Sequence, residues 1–308
     1  MFEDWLITTL ARGLAFAAPL LIAALGELVA ERSGVINLGV EGMMILGALF
    51  GFIAADASGN PWLGVLAAAG VGAVAALLHA FFAITLRANQ YVSGLALTMV
   101  GLGLSGLWGK PFAGKPLAHP LAKLDLPGLS ALPVLGPGLF AGQSPLVYLG
   151  LVFAVLLWVY LYHTKGGVTL RSVGENPAAA DALGVNVYLV RYLAVVFGGA
   201  MAGVAGAYLS LAYRPSWTEG MTAGMGWIAL AIVIFAAWDP LRAVLAAWLF
   251  GAFYHLAFRW QAYLAPEFLK MMPYAFTVLF LVLSAWAKSV RMSAPEALGR
   301  PYVRGERV

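Results

Sequence analysis

Residues 145–212 read PLVYLGLVFAVLLWVYLYH, then TKGGVTLRSVGENPAAADALGVNV, then YLVRYLAVVFGGAMAGVAGAYLSLA. Two apolar runs, 145–163 and 188–212, flank a polar island at 164–187. A membrane-crossing helix needs about 20 predominantly apolar residues, which each flank supplies. Inside the island, Asn176 suits a helix N-cap. Pro177 suits the first turn, where its missing N–H would have no partner anyway. Three alanines continue the helix, and Gly184 can end it in a left-handed conformation. The stretch therefore predicts a span, a short projecting helix and a second span. Such a helix is a natural docking element for a soluble partner.

The rest of the chain repeats the apolar pattern. Of 308 residues, 62% are hydrophobic and 10% charged, against about 25% charged in soluble domains. The mean hydropathy is +0.87. The fold class is an all-α polytopic membrane protein in a single transmembrane domain, 1–308. About nine spans are expected, at 6–29, 39–55, 62–86, 91–108, 145–163, 188–212, 224–238, 242–263 and 271–288. The second and seventh are short enough to be broken or re-entrant, as is tolerated where backbone lines a cavity or is buried in protein. The alternating segments of a membrane β-barrel are absent. Thirty-six glycines fit close helix packing in lipid, with 198–206 as the expected close crossing. The acidic start, Met1 to Trp5, reads as the beginning of a retained span rather than a signal peptide.

Basic residues set the expected orientation. Lys165, Arg171 and Arg191 frame the 164–187 loop, and Lys288, Arg291, Arg300, Arg304 and Arg307 fill the tail at 289–308. Positive charge favours the cytoplasm. That puts loop and tail inside, and the N-terminus and the long Pro- and Gly-rich loop 109–144 outside. The scattered basic residues are topology signals and imply no nucleic acid.

Catalytic patterns are missing. The chain has no GxxxxGK[ST] phosphate loop, no HExxH and no GxSxG. It has no cysteine, and His79, His119, His163 and His255 are far apart in sequence, so no metal site is expected. Inside the spans, Arg12 and His79 are the clearest ionisable groups. That scarcity of buried carboxylates argues against an ion-coupled carrier.

A polar constellation at 26–44 separates the first two spans and holds Glu27, Glu31, Arg32, Asn37 and Glu41. Asn37 and Glu41 would share a face if both lay on a helix. Its core, Glu31 to Met44 (ERSGVINLGVEGMM), resembles the signature of ABC-importer permeases. Within these it is most similar to the nucleoside and simple-sugar branch of the branched-chain amino acid and sugar permease superfamily. Residues 89–97 (NQYVSGLAL), 174–184 (GENPAAADALG), 222–231 (TAGMGWIALA) and 238–240 (WDP) resemble further blocks of that family, in its order. Two departures stand out: the resemblance leads one to expect a basic residue at Met225, and Gly-Arg at Ala236-Ala237.

The resemblance implies the ABC-importer permease fold and an ATP-driven importer in a bacterial-type inner membrane. Its partners would be an ABC ATP-binding subunit that holds ATP and Mg, a second homologous permease and an extracytoplasmic solute-binding protein or lipoprotein. This chain would bind no cofactor and catalyse no reaction. Glu175, Asn176, Pro177, Ala178, Ala179, Asp181 and Gly184 would form the helix that couples to the ATPase. For a pathway that hydrogen-bonds and stacks against a nucleoside, the candidates are Asn37, Glu41, Asn89, Gln90, Ser93, Ser105 and Trp227. Simple sugars, branched-chain amino acids and a self-sufficient carrier are the alternatives.

Overall fold

The structure is a computed structural model that describes residues 2–260 and 294–305, with isolated positions between 265 and 282. Ten α-helices are described: α1 (Phe2–Arg32), α2 (Val40–Ser58), α3 (Pro61–Ala80), α4 (Gln90–Gly109), α5 (Pro145–His163), α6 (Lys165–Glu175), α7 (Pro177–Ala182), α8 (Val187–Tyr208), α9 (Met225–Phe235) and α10 (Pro240–Trp260). Wider helical turns prolong α3 through Phe81–Thr85 and α8 through Leu209–Tyr213. Among the described residues, six helices are long and apolar enough to cross a membrane. The expected span at 271–288 lies largely outside them.

Asparagine starts four of these helices. Asn60, Asn89, Asn176 and Asn186 each accept a hydrogen bond from a first-turn N–H, which satisfies a donor that the helix itself leaves unpaired.

Helix α8 is the axis of the bundle and packs on α1, α2 and α3. Its small residues allow this. A Cβ at Gly199 would lie 2.5 Å from the Gly72 carbonyl, and one at Gly206 would lie 2.8 Å from the Ala48 nitrogen. The expected close crossing at 198–206 is therefore where three neighbouring helices touch α8 backbone to backbone, as lipid-embedded bundles do with small residues.

The two short spans differ. Helix α2 is complete at 19 residues. Helix α9 has 11 residues, about 16 Å at 1.5 Å per residue, roughly half of a ~30 Å hydrocarbon core. Before it, residues 214–224 run without regular structure.

The 109–144 loop is tied down. Gly114, Leu117 and Leu121 donate backbone hydrogen bonds to Trp217, Pro215 and Leu211. Lys115 pairs with Asp56 at 2.7 Å.

Gly203→Val would drive a branched side chain into the Ala68 carbonyl on α3. Overpacking of this kind costs about 1–3 kcal/mol. The expected result is a lower melting temperature of the detergent-solubilised protein, read by loss of the monodisperse peak on heating. An unchanged melting curve would show that α3 and α8 do not touch there.

Candidate functional site

After Arg32 the chain turns back into the protein. Residues 33–39 are almost wholly buried, although they form no helix. Buried backbone polar groups need partners, and side chains supply them. Glu27 accepts from Asn37 N–H at 2.9 Å, and Gln90 Oε1 from Ile36 N–H at 2.9 Å. His79 bonds the Ile36 carbonyl at 3.0 Å through Nε2 and the Ser93 hydroxyl at 3.1 Å through Nδ1. Thr98 donates to the Leu38 carbonyl at 2.9 Å, and Asn37 Oδ1 accepts from Gly39 N–H at 2.9 Å. Asn37 thus precedes α2 and does not share a helical face with Glu41. Its side chain closes the turn instead.

Glu41, in the first turn of α2, reaches the start of α9. It accepts from the Thr222 hydroxyl, from Gly224 N–H at 2.9 Å and from Gly226 N–H at 2.7 Å. A carboxylate at a helix N-terminus satisfies unpaired donors and meets the positive end of the helix dipole. Here a carboxylate in the first turn of a full-length span caps a half-length one.

At the far end of α9, Ala237 and Trp238 both have positive φ, 51° and 55°. Non-glycine residues hold that conformation only when their surroundings fix it. Arg32 does so with two bonds to the Trp238 carbonyl, from Nε at 3.1 Å and Nη2 at 3.0 Å, while the indole N–H donates to Glu31. Asp239 then caps α10 by accepting from Leu241 and Arg242 N–H at 3.0 Å.

Four of the seven pathway candidates, Asn37, Glu41, Gln90 and Ser105, are buried. Ser105 bonds its own helix at Leu102. Asn89 is exposed and caps α4, and Ser93 and Trp227 are half-buried. The turn brings Asn37, Gln90 and Ser93 together around His79, while Glu41 faces α9 and Asn89 and Ser105 stand apart.

Sequence reasoning missed the carboxylates as interior groups. Glu27, Glu31 and Glu41 are all buried. They sit at apparent span ends in the sequence, where charge normally marks the membrane edge. Their scarcity therefore no longer counts against an ion-coupled carrier. Arg191, only 2% exposed, was read as a topology signal. It joins three segments: from the second turn of α8 it donates to the Ser33 carbonyl at 3.1 Å and to the Arg300 carbonyl at 3.2 Å.

The polar island forms α6 and α7. Asn176 accepts from Ala179 N–H at 2.9 Å, and Gly184 closes the helix at φ 85°. Ala180 enters a small core with Val173, Val187 and Tyr302, separate from the main one. Tyr302 belongs to a strap, residues 295–304, that crosses this module. Ala297 N–H donates to Gly174, Gly299 N–H to Gly34, and Arg304 grips both oxygens of Asp181 at 2.9 Å. Glu175 accepts from Glu296 N–H at 3.3 Å. Gly174 packs on the Arg32 carbonyl where no Cβ would fit. Between α7 and the strap lies a polar groove of about 560 Å³.

Residues 9–283 match the family of the branched-chain amino acid transport system, permease component. The chain belongs to this family. It is an ABC importer permease subunit, a multi-pass membrane protein that is not itself catalytic. Permeases of this kind work with an ATP-binding subunit and a solute-binding protein. The permease is similar to a putative glucose ABC transporter permease of Haloferax volcanii, at 39% identity over 94% of this chain and 95% of the relative. It is similar to the guanosine ABC transporter permease of Bacillus subtilis, at 38% over 96% of each. A nucleoside ABC transporter permease of Lactococcus lactis is 36% identical over 95% of this chain and 96% of the relative.

Two tests follow from the geometry. Glu41→Ala would strip acceptors from the buried Gly226 N–H, the part-buried Gly224 N–H and the buried Thr222 hydroxyl, at about 1–3 kcal/mol for each group left buried and unsatisfied. The melting temperature is expected to fall well below that of an exposed-site control such as Lys123→Ala. Lost transport with an unchanged melting temperature would instead make Glu41 a solute contact.

The second test concerns pH. The Arg304 guanidinium holds the Asp181 carboxyl below its ordinary value. A depressed carboxyl supports the folded contact above its unfolded pKa, about 3.9, and loses it as pH falls through the folded value. Hydrogen-exchange protection of the strap should therefore be level between about pH 5 and 8 and drop only in stronger acid. Arg304→Ala should lower it already at neutral pH. Equal protection in that variant would remove the Asp181 anchor.

Proposed function

We propose that this permease moves nucleosides into the cell, driven by ATP hydrolysis in a separate subunit that pushes on α7. The observation that carries the nucleoside reading is full-length similarity, at 36–38% identity, to relatives named for guanosine and nucleoside transport. A second reading, glucose, is favoured by the 39% identity to the Haloferax volcanii relative.

The coupling residues are Glu175, Asn176, Pro177, Ala178, Ala179, Asp181 and Gly184. Support comes from the shape of the module. Its helix is capped at both ends and stands on its own small core. Its tip presents Leu183, 87% exposed. Unlike the apolar residues on the spans, Leu183 sits in the polar stretch between two spans, and an exposed apolar anchor there fits a pocket on a protein partner. ATP and Mg would be bound by that partner. Loop 164–187, strap and tail would then face the cytoplasm, and loop 109–144 would face the solute-binding protein. A second homologous permease would complete the membrane portion.

Ala179→Arg and Leu183→Asp should each abolish ATP-dependent uptake and solute-stimulated ATPase activity in the reconstituted complex, with the chain still inserted. Both sites are exposed, so neither change should alter the melting temperature by more than ~0.5 kcal/mol equivalent. Normal uptake in both variants would take the coupling role away from α7.

A further inference from the structure

Residues 214–224 have no regular structure, yet they run from the 109–144 loop, bonded at Pro215 and Trp217, to the interior at Glu41. Irregular backbone at membrane depth survives only where it is buried in protein or lines a water-filled cavity. In this chain Thr218, Glu219, Gly220 and Ala223 are exposed. All four line one cavity.

A cavity of about 400 Å³ opens against this segment, within the ~300–1,000 Å³ range of small-molecule sites. One wall is aromatic. Phe16 and Tyr254 stack with centroids 3.8 Å apart, and Tyr213 meets Phe16 edge-on at 5.9 Å. The other wall carries Arg214, Thr218 and Glu219. Among the described residues, neither Arg214 nor Glu219 makes a side-chain hydrogen bond. The floor is Met225, the first residue of α9.

We propose that this cavity is a recognition station for nucleosides on their way through the membrane, an inference that rests on the importer reading above. An aromatic wall offers its face to a flat base, and base–aromatic stacking tolerates any base because each has a π-face. Arg214 donates, Glu219 accepts and Thr218 does both, which suits base edges and ribose hydroxyls. The charges of Arg214 and Glu219 cancel, and the anion-binding end of α9 below is already capped by Glu41. The pair adds no net charge, so the choice between solutes falls to the aromatic wall, which takes a flat base in preference to the branched side chain of leucine.

The test uses the complete transporter in proteoliposomes. The chain has no cysteine, so Thr218→Cys gives it a single thiol. Labelling by N-ethylmaleimide is measured on this subunit with guanosine, glucose or leucine present. The expected result is that guanosine slows labelling most and leucine not at all. In parallel, Tyr213→Ala should lower kcat/KM for ATP-dependent guanosine uptake about tenfold or more, while Tyr213→Phe keeps it near wild type. ATP-dependent uptake in the wild type, with no protection by guanosine and normal uptake in Tyr213→Ala, would overturn the station and leave the importer standing. Protection by glucose alone would overturn the nucleoside assignment. No ATP-dependent uptake of any of the three solutes would overturn the importer reading and the station with it.

Discussion

The structure depends on satisfying the backbone of a turn that has left the helix but not the protein interior. Residues 33–35 still bond back to the last turn of α1, but residues 36–38 carry buried N–H and C=O groups with no helical ladder to pair them. Glu27, His79, Gln90 and Thr98 pair them instead, from three different helices. Each bond is modest by itself, but an unpaired buried amide is expensive. The turn therefore fixes the relative positions of α1, α3 and α4 more firmly than apolar packing between smooth helices could. It also lets α2 begin beside the start of α9 rather than at a free surface.

That placement creates a joint between a full span, α2, and a half-length one, α9. Helix α9 begins at Glu41 and ends at the Arg32–Trp238 contact, so both ends are held by residues of one continuous segment, Glu31 to Glu41. The same segment touches the polar module through Gly174 on the Arg32 carbonyl and through Arg191 on Ser33. A displacement of α6 and α7 has a short mechanical path to α9 through hydrogen-bonded backbone. Packed elements of this kind switch between discrete arrangements rather than deform smoothly. The 214–224 segment lies at the other end of that path.

Much of this was legible in the sequence, and the unread part has a common cause. The cap at Asn176, the stop at Gly184 and the close crossing along α8 follow from local rules, because capping and small-residue packing need only neighbouring residues. The five motif blocks were legible separately, but not their convergence: 31–44 contacts 89–98, 222–226, 238 and 174, each at long sequence separation. The burial of Glu31 and the seat of Glu41 on α9 were not legible, because hydropathy locates spans but does not say that a chain folds back between them. The 109–144 loop looked structureless because its partners, 211–217, lie almost a hundred residues downstream.

The buried carboxylates also bear on the energy source, for a reason other than their number. A carrier driven by an ion gradient needs an acidic group that can bind and release its ion as the protein switches. Glu41 holds three protein donors and Glu31 holds the Trp238 indole. Protonating or metallating Glu41 would uncap α9, and doing so to Glu31 would free Trp238 from one of its restraints. These groups are committed to structure in the way that a hinge pin is, so they fix the joint rather than drive it. Among the described residues, α7 is the exposed, capped element with a small core of its own, which is the physical support for the coupling role proposed above.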